Sequence, residues 1–119
     1  MLEMKRDMSL IREILLSIEE HDEVLPVEGF SSEIIKSHVK LLIEARLIER
    51  KSFGVNSFMT TVTKLTWTGH EFLDSIREEQ VWNTIKSEFR EAGMSTIIKV
   101  GKDLAEGFAK KKVEAILNS

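Results

Sequence analysis

"KLTWTGHEFLD", residues 64 to 74, closes a run of β-branched residues and opens a helix, and the architecture of the chain turns on that junction. Upstream of it Thr60, Thr61, Val62, Thr63 and Thr66 favour strand. Thr68 followed three residues later by Glu71 has the spacing of a capping box, in which hydroxyl and carboxylate satisfy two orphan amides. Trp67 and Phe72 fall at the staple positions on either side. Gly69 takes the first helical position, where its flexibility costs less than in a helix interior. The expectation is a strand ending at Trp67, a helix starting at once, and an aromatic clasp fixing the corner.

Working backwards, residues 47–53 and 58–67 read as a hairpin around Gly54-Val55-Asn56-Ser57. Before it, "GFSSEIIKSHVKLLIEARLIE" predicts a helix with Ser31 as N-cap and Phe30 and Ile35 as staple. Ile34, Ile35, His38, Leu41, Leu42 and Ala45 form its inward stripe, and Glu33, Lys36, Ser37, Lys40 and Glu44 its outward face. Arg46 closes it. The first helix starts from Asp7 as N-cap, carries Leu10, Ile11, Ile14, Leu15 and Ile18 inward, and runs to about Glu20. Residues 23–27 lean towards strand, but Pro26 cannot donate to a ladder and allows an edge strand at best.

Working forwards, Phe72, Leu73 and Ile76 continue the helix. A break near Glu78-Glu79-Gln80 is compatible with the pattern. Val81, Trp82, Ile85 and Phe89 extend a stripe to Ala92, with Gly93 as C-terminal stop. A last helix from Ser95 to about Leu117 places Ile97, Gly101, Leu104 and Phe108 on one face. Gly101 and Gly107 each lower its helicity by about 1 kcal/mol relative to Ala, so it requires a packing partner.

Composition sets the outer limits. A chain of 119 residues suits one domain with a helical appendage, and 42% hydrophobic with 31% charged residues is ordinary globular usage. With no cysteine, disulfides and thiolate metal sites are excluded. No apolar run reaches the roughly 18 residues of a membrane span, and the charged N-terminus lacks a secretory pattern. The expectation is a cytoplasmic protein without membrane contact. Net charge is −3, from 17 basic and 20 acidic residues. The balance is uneven: residues 1–80 carry 10 basic and 15 acidic side chains, residues 81–119 carry 7 and 5. Any nucleic-acid contact must therefore come from a local patch.

Helix, edge strand, helix, hairpin, helix is the order of a winged helix-turn-helix domain. The phrase "HVKLLIEARLIERKSF…VTKLTWTGHEFL" looks like the helix–wing–helix passage of small bacterial regulators, with Arg46 where those families usually have Gly. The segments "MKRDMSLIREILLSIEE", "HVKLLIEARLIE" and "LTWTGHEFLDSIREEQVWNTIK" together resemble the bacterial and prophage family called domain of unknown function twenty-five-thirteen, from about Met4 to Ile98. That resemblance implies origin and fold rather than an activity. The short spacer before "SSEIIKSHVK" implies that the helix usually preceding a recognition helix is missing or reduced to a turn.

On a winged helix the DNA-facing residues would be Lys36, Ser37 and Lys40 on the second helix, and Arg50, Lys51 and Lys64 on the wing. Against this, Glu33 and Glu44 bracket the lysines, and the helix face lacks the Arg, Asn or Gln suited to reading bases. A solvated face with Lys40 paired to Glu44 is the plain alternative. His21, His38 and His70 lie on separate elements without metal-ligand spacing, and His38 fits a core histidine bonded to backbone. No phosphate loop, nucleophile elbow or cofactor motif is present, so no enzyme, metal or cofactor is expected. Trp67 and Trp82 fit core packing. Ile97, Gly101, Leu104 and Phe108 fit a homodimer contact or packing within the chain, and Lys110-Lys111-Lys112 beyond them is basic.

The sequence thus predicts a mainly α fold with a small β-hairpin wing, a winged helix-turn-helix domain over residues 1–93 and an amphipathic helix over 94–119. The leading function is a phage- or prophage-type regulator binding double-stranded DNA, a dimer through its last helix. The rival is a protein–protein interaction module, an antirepressor or host-factor binder, on the same scaffold.

Overall fold

A computed structural model describes residues 5–55 and 58–119. Within them five helices and one hairpin follow in the order α1 (Met8–His21), α2 (Ser32–Glu44), β1 (Ile48–Val55), β2 (Phe58–Leu65), α3 (Trp67–Arg77), α4 (Glu79–Glu88) and α5 (Met94–Leu117). The fold is mainly helical with a two-stranded antiparallel wing between helices. The chain divides into two compact units, the first ending at His70 and the second spanning Glu71–Ser119. Within the second unit α4 packs with α5.

In the first unit, α1 begins as its cap chemistry predicts: the Asp7 carboxylate accepts the Leu10 amide at 3.1 Å. Leu10, Ile11, Ile14, Leu15 and Ile18 are all buried. Ser31 caps α2 through the Ile34 amide at 3.2 Å. The buried stripe of α2 is Ile35, His38, Val39 and Leu42; Ile34 and Leu41 are only half-buried, so the stripe is rotated slightly from the predicted one. No strand forms at residues 23–27. That segment is tied instead to α1, where Ser17 Oγ donates to the Glu23 carbonyl and accepts the Leu25 amide. Just before it, the Asp22 carbonyl accepts the Thr63 amide of the hairpin at 3.1 Å.

The hairpin pairs Ile48 with Leu65, Arg50 with Thr63 and Ser52 with Thr61. The predicted turn residues Asn56 and Ser57 lie outside the described residues. Because side chains alternate along a strand, Ile48, Arg50, Thr63 and Leu65 share one face, and Glu49, Lys51, Val62 and Lys64 the other. Ile48, Thr63 and Leu65 are buried, which identifies the first as the core face.

The corner after β2 differs from the predicted clasp. β2 ends at Leu65, and the helix starts at Trp67. Thr66, not Thr68, is the cap: its hydroxyl accepts the Gly69 amide at 3.0 Å. Trp67 is 79% exposed, so it closes no buried staple against Phe72. Gly69, Phe72, Leu73 and Ile76 are the buried face of α3, and at 3.6 residues per turn Trp67 points about half a turn away from them. Gly69 is the third residue of α3, and its lack of a Cβ serves packing. A Cβ there would collide with the Leu47 backbone carbonyl.

In the second unit Phe72, Leu73, Ile76, Val81, Trp82, Ile85 and Ile97 are buried. The break between α3 and α4 falls at Glu78, whose backbone is extended. Lys86 Nζ stands 5.2 Å from the centroid of the Trp82 ring. Gly93 is the N-cap position of α5 rather than a stop, since α4 already ends at Glu88.

Candidate nucleic-acid interface

All six predicted DNA contacts belong to the first unit, but the structure sorts them into two groups. Lys36 and Lys40 lie one turn apart on the exposed side of α2. Among the described residues neither forms an ion pair, so the expected Lys40–Glu44 pair is absent. Ser37 between them spends its hydroxyl proton on the Glu33 carbonyl at 2.8 Å, which leaves it oxygen lone pairs but no donor for a phosphate.

The wing residues do not act as one set, for a reason of register. Arg50 is on the core face of β1, whereas Lys51 and Lys64 are on the opposite face. There Lys51 meets Glu49 at 3.9 Å and Lys64 meets Asp22 at 3.8 Å. Both pairs are solvent-exposed and contribute little to stability, and each sets a carboxylate beside its lysine. Arg50 has no such partner among the described residues.

Arg50 and Lys36 also border a groove of about 250 Å³ whose walls come from α2, β1 and the loop between α1 and α2. Phe30 and Ile35, the predicted staple pair, both line it. No local pattern in the sequence marks this feature, since it depends on a loop whose path is set by Ser17 and Asp22. No helix occupies that loop, as its short length implied.

His38 is a core histidine, 2% exposed. Its Nδ1 donates to the Ile34 carbonyl at 2.8 Å and its Nε2 accepts the Asp7 amide at 2.9 Å. That arrangement fixes the Nδ1–H tautomer and ties the start of α1 to α2. No cluster of three metal-ligating side chains occurs among the described residues, and no helix there is long and apolar enough to cross a membrane.

The four residues proposed for a dimer contact or for packing within the chain differ in burial. Ile97 is fully buried, and a Cβ on Gly101 would lie 3.5 Å from Ile85 and Phe72, so both positions are used inside the second unit. Leu104 and Phe108 are half-buried, and beyond them Val113, Ile116 and Leu117 are 54%, 65% and 76% exposed.

Comparison with known proteins supplies a family and no activity. The profile of the family described as "Hypothetical protein (DUF2513)" matches residues 5–95. An uncharacterized protein of Haemophilus influenzae is 38% identical over 110 residues, covering 87% of this chain and 93% of that protein. No solved structure matches the chain.

Proposed function

The chain belongs to the DUF2513 family of hypothetical proteins, and we propose that it is a winged-helix regulator that grips the backbone of double-stranded DNA. The observation that carries this reading is that three cations on α2 and the wing, Lys36, Lys40 and Arg50, have no ion partner among the described residues. Cations of this kind release counterions from a duplex and give affinity without sequence choice. The outer face of α2 offers no side chain for bidentate base reading, so specificity would come from duplex shape. The protein binds and carries out no reaction. A phage or prophage setting rests on the resemblance of its motifs alone.

A protein-interaction module is favoured by a different observation. Phe53, Met59 and Trp67 are 57%, 73% and 79% exposed, and exposed aromatic and methionine side chains are typical anchors for a protein partner. Glu33 and Glu44 beside the lysines act in the same direction.

Titration of a fluorescent duplex against salt separates the two readings. For DNA binding, affinity falls steeply with salt, and Lys36→Ala with Lys40→Ala flattens the slope by about one unit per lost phosphate contact. A wild-type protein that ignores duplex DNA at low salt leaves only the interaction module.

A further inference from the structure

We propose that the groove bordered by Lys36 and Arg50 is a binding site for a small arylalkyl carboxylate, a ligand with one apolar ring and one anionic head. The walls are formed by Val24, Leu25, Pro26, Phe30, Ile35 and Val39, all of them apolar. Ile35 and Val39 are buried, and Val24, Leu25 and Phe30 are left half-exposed on the groove side of the core. An apolar cavity of about 150 Å³ admits a benzene-sized molecule. The volume here, about 250 Å³, takes a ring and a short chain, and is small for a folded peptide segment.

Charge selects the head group. Among the described lining residues two are cationic and none is acidic. Neither Lys36 nor Arg50 has an ion partner among the described residues. A planar guanidinium meets a carboxylate through two parallel hydrogen bonds, and the nearby ammonium adds a third donor. A neutral carboxamide keeps one carbonyl acceptor but forgoes the charge and the second oxygen of the paired contact, and a cation would be repelled. The site thus combines an apolar wall with a few polar groups that set orientation, the usual composition of a small-molecule site.

Ligand binding is measured on the free protein and does not depend on DNA binding. If the protein also grips DNA, carboxylate and phosphate backbone compete for the same two cations, and the ligand becomes a releasing effector.

The test is a titration of the full chain, followed by amide chemical shifts, with 4-phenylbutyrate, its neutral amide 4-phenylbutyramide, and butyrate. Saturable shifts centred on Val24, Leu25, Ile35 and Val39 are expected with phenylbutyrate. The amide and butyrate should each bind about tenfold more weakly. Lys36→Gln or Arg50→Gln should weaken the acid far more than the amide and so remove the preference for the acid. Both positions are exposed, so these variants test recognition rather than folding. Equal affinity for acid and amide, shifts centred elsewhere, or no saturation overturns the proposal. Saturation only by a peptide ending in a phenylalanine carboxylate overturns it too, in favour of a protein partner.

Discussion

The hydroxyl of Thr66 donates to the carbonyl of Arg46 at 2.6 Å and accepts the Gly69 amide at 3.0 Å. One side chain therefore joins the end of α2 to the start of α3, across the whole hairpin. The Thr66 amide adds a bond to the Leu47 carbonyl at 2.9 Å. Replacing the hydroxyl by an isosteric methyl, Thr66→Val, should cost about 1–2 kcal/mol in urea denaturation, and Thr66→Ser should recover most of it. Equal stability of the valine and serine variants would contradict this role of the hydroxyl.

Arg46 holds a left-handed backbone, φ 61°. The Leu47 amide bonds the Leu42 carbonyl and the Arg46 amide bonds the Ile43 carbonyl, both at 3.0 Å. This is the Schellman pattern, with Leu42 and Leu47 buried together on its apolar side. An L residue with a Cβ is strained by about 1–2 kcal/mol at such a position. Arg46→Gly should accordingly raise the melting temperature, offset in part by the greater freedom of glycine in the unfolded chain. A lower melting temperature would show that the arginine side chain contributes more than the strain it causes.

Gly69→Ala sets two effects of opposite sign against each other. Alanine improves helix propensity by about 1 kcal/mol, but its Cβ would collide with the Leu47 carbonyl, which is backbone and cannot turn aside. Overpacking of this kind typically costs about 1–3 kcal/mol. The variant should be less stable than wild type by calorimetry. Alanine at the open Gly107, where an added Cβ would meet nothing within 4 Å, should instead stabilise α5.

His38→Phe keeps a ring and removes both nitrogens, leaving the Asp7 amide without its acceptor. The bond is part-buried, so its loss should cost about 1 kcal/mol. Amide exchange at the first turn of α1 should accelerate in this variant, and nitrogen NMR of the wild type should report the Nδ1–H tautomer. Unchanged exchange near Asp7 would contradict the bond.

For a dimer, the distal part of α5 is the face that remains available, because Ile97 and Gly101 are already covered. Ile116→Gln with Leu117→Gln should lower the solution mass of a dimer to that of a monomer in sedimentation, without loss of helicity. A wild-type protein that stays monomeric at high concentration rules the dimer out.

Local chemistry was enough to specify α1, α2 and the existence of the wing. Asp7 and Ser31 cap helices whose apolar periods begin immediately after them, and neither assignment needs a distant residue. His38 was readable in the same way, as a polar ring on an apolar stripe. Other features depend on contacts between distant parts of the chain. Thr66 and Thr68 are chemically equivalent caps, and the choice falls to Thr66 because the Arg46 carbonyl waits upstream to take its hydroxyl proton. That shift turned Trp67 outward. Hairpin register separated Arg50 from Lys51 and Lys64, a one-residue matter that composition cannot express. The groove beside Lys36 exists because the loop after α1 is pulled back onto that helix by Ser17, and no periodicity in the chain encodes that path.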